Sequence, residues 1–499
     1  MARADAQPAV AAGSVVFPLA LAQFIASYAG SNMNVAISTI ADDIGTTVIG
    51  MQTAITLFTL TMASLMIPGS KLSDIWGRKF CFMAGLAVYG SGALIAAFSQ
   101  GLGLMIFGYS LLEGIGSALM IPPIYILITV LYPSTRDRAK YFGIVSGAAG
   151  LGAAAGPLIG GMITSAISWR ASFVLQVLVV ALIIVLARRI VDPPREAAPR
   201  FDLVGAILSA AGLFFVVLGI LQSSTYGWTT ARTDFSIAGT VVIPKGGISP
   251  VWLFVAIGAV FLGWFFLHIR ATERAGKDPL LSPRLFRNRT SNLGLVTQNV
   301  QWLTMQGTFF VVSVFLQQIR GYNAIQTGLM LTPSTIGVLA SSAAAGRLAR
   351  KRSQELLIRA GFVATAVGIA LLMALVREQS SIWTFVPGLL LIGLGIGVML
   401  TSSVNVVQSA FPEQDQGDIS GLSRSVSNLG SSLGTALAGS VLVGASVPGG
   451  KPFALALTTM GVFVLLGLLA AVFIPTRPPA TAPADPATGK EPGPAASPA

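Results

Sequence analysis

The sequence predicts an all-α membrane protein of fourteen transmembrane helices, and three observations carry that prediction. Hydrophobic residues fill 54% of the 499 positions and charged residues only 10%, with a mean hydropathy of +0.77; a soluble chain carries about 25% charged residues. The apolar residues fall into runs of about 20 or more, the length a helix needs to cross a bilayer. Runs that long are helices rather than barrel strands, because in lipid each segment must satisfy its own backbone. Finally, Lys and Arg cluster after the second, fourth, sixth, eighth and tenth runs. The 55 glycines agree, since Gly is more frequent in membrane helices than in soluble ones.

The elements follow in order. Residues 1–13 form a short N-terminal segment. Span 1 (14–40) is too long for a signal-peptide core and leads straight into further spans. Span 2 (49–68) ends in a loop with Lys71, Arg78 and Lys79. Spans 3 (79–98) and 4 (103–131) lead to Arg136, Arg138 and Lys140. Spans 5 (138–165) and 6 (170–190) lead to Arg188, Arg189, Arg195 and Arg200. Spans 7 (201–223) and 8 (251–270) lead to Arg270, Arg274, Lys277, Arg284, Arg287 and Arg289. Spans 9 (291–316) and 10 (326–346) lead to Arg347, Arg350, Lys351 and Arg352. Spans 11 (354–376), 12 (382–409), 13 (418–444) and 14 (453–475) complete the set. The opposite loops carry only scattered cations: Arg170, Arg232, Lys245, Arg320, Arg377 and Lys451. The cation-rich side is cytoplasmic by the positive-inside rule, and an even number of spans places both termini there. The outer loop 224–250 has the alternation and turn residues of a small hairpin. The Pro/Ala-rich tail 476–499 is expected to be a disordered cytoplasmic extension.

A weak internal repeat suggests how the spans group. "GSKLSDIWGRK" (69–79) follows span 2 and "AGRLARKRS" (345–353) follows span 10. Two six-helix bundles, 14–190 and 291–475, with two inserted helices in 201–270, account for both; related halves around a midplane site are a recurring transporter plan. A shared composition of cytoplasmic turns is the simpler alternative.

Several functions are disfavoured. The net charge of +12 sits in short runs between apolar segments, not on one soluble face, so no nucleic-acid surface is expected. A single cysteine, Cys81, excludes an internal disulfide and a cysteine-rich metal site. The single histidine, His268, lies at a helix end and reads as an interfacial residue rather than a ligand. No phosphate-binding Gly-x-x-x-x-Gly-Lys-Ser/Thr stretch appears, and no nucleophile–histidine set. No enzyme activity, metal or cofactor is expected.

Two motifs carry more specific information. The loop after span 2 reads Leu72-x-Asp74-x-x-Gly77-Arg78-Lys79. Gly77 permits a tight turn, and Asp74 can pair with Arg78 or sit at a neighbouring helix N-terminus. Span 5 reads "FGIVSGAAGLGAAAGPLIGGMITS", with Gly143, Gly152, Gly156, Pro157, Gly160 and Gly161. Small residues at intervals of four let helix backbones approach closely, and Pro157 bends the helix.

With these two motifs, the chain from 14 to 475 resembles the major facilitator superfamily, and within it the fourteen-helix drug:proton antiporter branch. Softer matches are "RFDLVGAIL" (200–208), "PLLSPRLFRNR" (279–289), "VFLQQIRGYNAIQTGLMLTP" (314–333) and "GDISGLSRSVSNLGSSLGTALAG" (417–439). The resemblance implies that the loop latches the two halves in one state and that the span 5 motif belongs to exporters. Ser70 stands where the family has the first glycine of the loop motif. Two departures concern coupling. Ala29 replaces an acid that the branch usually carries in span 1 before "NVAIS". In span 4, "SLLEGIG" has Ser110 in place of an Arg and Glu113 in place of a Gln.

Glu113 is the one carboxylate that the span assignment puts at membrane depth; the other acids fall in loops, helix ends or tails. It lies roughly 15 Å from the outer end of span 4 at about 1.5 Å per residue. Its neighbours at helical spacing are Tyr109, Ser110, Gly116 and Ser117, a small polar face that turns it toward the bundle, as intramembrane acids nearly always turn. It is the candidate proton site. The alternative is a protonated, hydrogen-bonded stand-in for the family's Gln.

Polar residues within spans are candidate cavity lining: Asn32 and Asn34 in span 1, Tyr109 beside the acid, Gln298, Gln301, Trp302 and Met305 in span 9, and Asn405 and Gln408 in span 12. Amides with Trp and Met suit an amphipathic ligand; hydrogen bonding between helices is the competing reading. The expectation is a monomeric, multi-pass carrier of the cytoplasmic (inner) membrane. It would exchange protons for hydrophobic or amphipathic small molecules by alternating access. The alternative is a carrier of the same fold that moves lipids or amphiphilic metabolites without protons.

Overall fold

The computed structural model describes residues 12–132, 135–191, 200–237, 240–349, 351–411, 415–444 and 451–475. The start of the N-terminal segment and the tail expected to be disordered lie outside the described residues.

Every predicted span is helical. Span 1 is α1 (Ala12–Asn32), a 3₁₀ turn (Met33–Val35) and α2 (Ile37–Asp43). Spans 2 and 3 are α3 (Val48–Trp76) and α4 (Arg78–Ala97). Span 4 is broken into α5 (Leu102–Met105), a π-helical stretch (Ile106–Glu113) and α6 (Gly114–Leu131). Then come α7 (Thr135–Ala166), α8 (Trp169–Ala187), α9 (Leu203–Tyr226) and α10 (Pro250–Arg274). Span 9 is α11 (Arg289–Val314), running into a π-helical end (Phe315–Ile319). The last five are α12 (Ala324–Ala349), α13 (Gln354–Leu375), α14 (Phe385–Gln408), α15 (Gln416–Gly444) and α16 (Lys451–Val472).

Among the described residues, ten helices are long and apolar enough to cross a membrane, and α7, bent by 40°, makes an eleventh, against fourteen read from the sequence. Helices α1, α11 and α15 are the three not counted; in α11 and α15 Gln, Asn, Ser and Thr interrupt the apolar runs. Those polar residues do not meet lipid, for α11 and α15 pack against each other. The bend in α7 lies between Ala153 and Ala155, where Pro157 leaves the carbonyl four residues earlier without its donor. The outward faces of α8 (Leu178, Leu182, Val185), α10 (Val260, Leu267) and α16 (Leu465, Leu469) are exposed and apolar, a surface suited to lipid.

Helix pairing repeats along the chain. In the first set, α1 packs on α7 and α8, α3 and α4 on α6, and α4 on α8. In the second, α11 packs on α15 and α16, α12 and α13 on α14, and α13 on α16. The two sets meet through α3 with α15 and α7 with α12, which are equivalent pairs if span 9 repeats span 1. Helices α9 and α10 pair with each other, and α9 rests on α3 and α15. Asp202 ties this pair down: it caps α9 at Gly205 N (2.8 Å), bonds His268 Nε2 (2.8 Å) and accepts from Leu280 N (3.1 Å). Between α9 and α10, strands β1 (Phe235–Ile237) and β2 (Thr240–Ile243) form the antiparallel hairpin expected there.

Candidate functional site

Glu113 closes the π-helical stretch of span 4. A π-turn carries one extra residue, breaks the usual bonding step and is often found at functional sites. Here it brings the span against α4: a Cβ on Gly92 would lie 2.7 Å from the Glu113 backbone nitrogen. Leu111 is exposed at 41%, whereas Tyr109, Ser110, Glu113 and Ser117 are wholly buried. Among the described residues neither Glu113 carboxylate oxygen has a partner of good hydrogen-bond geometry; the Tyr89 hydroxyl is a neighbouring donor. Tyr89 and Tyr109 lie beside it, but the Tyr89 hydroxyl donates to Gln176 Oε1 at 2.5 Å and Tyr109 points at the Ala29 carbonyl, 3.5 Å away. Next to this group, Ser172 Oγ bonds Tyr28 (2.6 Å) and accepts from Asn32 Nδ2 (3.1 Å). The acid therefore sits inside the first helix set, among side chains of α1, α4 and α8.

A separate cavity of about 60 Å³ lies between the two sets. Trp302 and Met305 line it, with Gln23, Phe58, Gln306 and Arg424. Phe58 also stacks on Tyr109, centroids 4.6 Å apart, so this aromatic pair stands between the cavity and the acid. Of the nine residues expected to line the cavity, the other seven lie elsewhere. Gln298 is bonded to Ser423 and Ser427, both at 2.9 Å. Gln301 accepts from Ser403 (3.2 Å), and Gln408 donates to Ser420 (3.4 Å). Asn32 joins α8, Asn34 donates to Ser31 O (3.4 Å), and Tyr109 is behind Phe58. Asn405 is exposed outside the cavity wall. The physical reason is common to most of them: a buried amide between helices is more strongly held by a neighbouring hydroxyl or carbonyl than left facing an apolar cleft.

The span 5 glycines face two helices. A Cβ on Gly152 would fall on the Phe24 carbonyl, and one on Gly156 or Gly160 on the Ser31 and Asn32 side chains, so this stripe seats α1. Gly161 faces Ala324 O (2.5 Å for an added Cβ), and Gly328 faces the Pro157 carbonyl, so the C-terminal end of α7 seats α12. Gly143 meets nothing within 4 Å and lies outside this packing.

The two sets are fastened at both ends. On the side of the basic loops, Gly77 adopts φ +104°, Asp74 pairs with Arg78 at 3.8 Å and Lys79 Nζ bonds Arg188 O at 2.9 Å. Half-buried Leu72 lies near the end of α3, ahead of that turn. The ion pair that crosses between the sets is made by a neighbour, Lys71 with Asp418, 2.8 Å. At the other end, Gln317 joins the two irregular helix ends of spans 1 and 9: its Oε1 accepts from Ser38 N (2.9 Å) and its Nε2 donates to Asn34 O (3.0 Å).

Arg424 is the main residue that the sequence reading missed. It lies well inside α15 and on the cavity wall. The signal is present in the sequence, since Arg424 is a cation within span 13.

The family model described as Major Facilitator Superfamily matches residues 19–275, 203–435 and 294–497. The chain is 27% identical over 430 residues to the puromycin resistance protein pur8 of Streptomyces alboniger, covering 85% of this chain and 80% of that protein. It is 26% identical over 394 residues to the multidrug resistance protein Stp of Mycobacterium tuberculosis, covering 79% and 69%. It is 27% identical over 420 residues to the cephamycin export protein CmcT of Amycolatopsis lactamdurans, covering 83% and 82%. The crystal structure of the human organic anion transporter MFSD10 superposes with a TM-score of 0.59 at 15% identity, over 92% of this chain and 99% of that one, a likeness of fold.

Proposed function

The chain belongs to the major facilitator superfamily and is a multi-pass membrane transporter rather than an enzyme, and from that premise we propose that it exports amphipathic small molecules, antibiotics and other drugs among them, in exchange for protons. The resistance and export proteins it is similar to support the direction and the substrate class. The observation that carries proton coupling is Glu113, wholly buried with neither carboxylate oxygen in a well-formed hydrogen bond among the described residues. An ionised carboxylate out of water demands a cation or several donors, and the described residues around it offer the Tyr89 hydroxyl but no cation. The site instead suits a group that carries its proton while enclosed and gives it up when the helices part.

In this reading the structure is one state of an alternating cycle, with Gln317 closing the outer end. Substrate enters the cleft beside Phe58, and motion of the Phe58–Tyr109 pair links the cleft to the acid behind it. The basic-loop side is taken as cytoplasmic, both termini with it, and the working unit as a monomer in the cytoplasmic membrane. The experiment is proton release: purified protein in weakly buffered detergent receives a bound drug, and pH is followed with an indicator dye. Wild type should release protons on drug binding and Glu113→Gln should not. Equal release by both proteins would remove Glu113 from the mechanism.

A second reading is favoured by one pair of positions. Ala29 and Ser110 are buried and uncharged where the branch carries charge, and Ser110 is used up in a bond to Ala54 O at 2.7 Å. A carrier driven by its substrate gradient alone would need no such charges. Transport that persists unchanged with a protonophore selects this reading.

A further inference from the structure

Two cations lie inside helices of the second set, and their situations differ. Arg359 on α13 donates to the carbonyls of Ala471 (3.0 Å), Val472 (3.1 Å) and Ile474 (3.3 Å) at the end of α16, where the helix dipole is negative. Its role is structural. Arg424 on α15 has no such sink. It is half-buried on the cavity wall and reaches across to Tyr125 of α6, donating to the hydroxyl and lying 4.9 Å from the ring centroid. A guanidinium has five N–H donors, and among the described residues one phenol takes up only part of that capacity. No Asp or Glu lines this cavity among the described residues, and Glu113 stands behind the Phe58–Tyr109 pair.

We propose that this cavity selects amphiphiles bearing an anionic oxyacid group, a carboxylate, sulfonate or phosphate, and that Arg424 is the residue that receives that group. The inference rests on the exporter reading and adds its substrate class. The guanidinium keeps donor capacity on the cavity wall with no carboxylate there to take it, and its planar fork matches the two oxygens of an oxyacid. The cavity, about 60 Å³ in this state, would widen as the helix sets part, and the apolar part of the ligand would then lie on Trp302, Met305 and Phe58, which line it. A cationic amphiphile would meet like charge. Because Tyr125 and Arg424 belong to different helix sets, an anion that takes the guanidinium from Tyr125 also loosens one contact between them.

The test uses two dyes with one ring system: 1-anilinonaphthalene-8-sulfonate and its uncharged parent N-phenyl-1-naphthylamine. Binding to full-length protein in nanodiscs is read by fluorescence, with empty nanodiscs subtracted. Arg424→Gln should weaken the sulfonate by about tenfold or more, the scale of one charge-assisted bidentate contact, and change the neutral dye by less than about twofold. Arg424→Lys, which keeps the charge without the fork, should fall between. Retained binding of the neutral dye shows that the variants are folded. Unchanged sulfonate binding by Arg424→Gln, or equal loss of both dyes in Arg424→Gln with full retention of both in Arg424→Lys, overturns the inference and leaves the exporter reading standing. Wild type that binds neither dye and exports neither from vesicles overturns both.

Discussion

Glu113 is held more by shape than by partners. No described residue makes a well-formed hydrogen bond to its oxygens, so Glu113→Gln, nearly isosteric, should leave the melting temperature of the purified protein within a few degrees of wild type, and any loss of transport then reports on chemistry. Asp43 is the opposite case, an acid held by partners. Arg170 bonds it and Trp169 Nε1 donates to it at 3.0 Å, and the Arg170 contact lowers its pKa. A depressed folded pKa means that the stabilisation is complete above the ordinary Asp value of about 4 and is lost as pH falls through the lower, folded value. Melting curves between about pH 5 and pH 2 should therefore show an acid-side loss that Asp43→Asn lacks; because Asp43 is largely exposed, the step should be small. Gly77→Ala should cost about 1–2 kcal/mol, since φ +104° is strained for any side chain; a denaturation midpoint unchanged from wild type would remove that role. At this scale the sequence was legible where membrane depth alone decides, as for Glu113. It was not legible for Gln298, Gln301 and Asn32, because which neighbour a buried amide bonds depends on the facing helix.

Helix α7 allows an internal comparison. A Cβ at Gly143 meets nothing, whereas at Gly152 it falls on the Phe24 backbone. Gly143→Ala should be neutral or slightly stabilising, and Gly152→Ala should cost about 1–3 kcal/mol by overpacking and reduce transport; similar effects at both positions would mean that the stripe does not seat α1. The joint made by Gln317 is a second element-scale feature. Gln317→Leu removes two hydrogen bonds, each contributing about 1 kcal/mol, and should shift the protein toward a state open on that side. The single cysteine, Cys81, is buried, so a cysteine introduced at the exposed Thr39 beside the joint can report opening by its labelling rate; no increase in the variant would show that the joint does not hold the state. Span lengths and the α7 bend could be read from the sequence because bilayer thickness and Pro157 impose them. The π-helical stretches could not, because a constant helical period was assumed through both spans.

At the scale of the whole molecule, two helix sets with the same internal pairing meet along two equivalent contacts, α3 with α15 and α7 with α12. We propose that these contacts act as walls along which the sets rock, with Lys71–Asp418 fastening one end and Gln317 the other. The cavity and the acid lie on different sides of the Phe58–Tyr109 stack, which lets one conformational change act on both. The most direct measurement is gradient-driven uptake in inverted membrane vesicles. An imposed pH step should drive concentrative uptake of a drug by wild type. Glu113→Gln should lose that response by at least about tenfold, as expected when a proton-carrying group is removed, yet still exchange labelled for unlabelled drug with no gradient. Full concentrative uptake by Glu113→Gln would contradict the account.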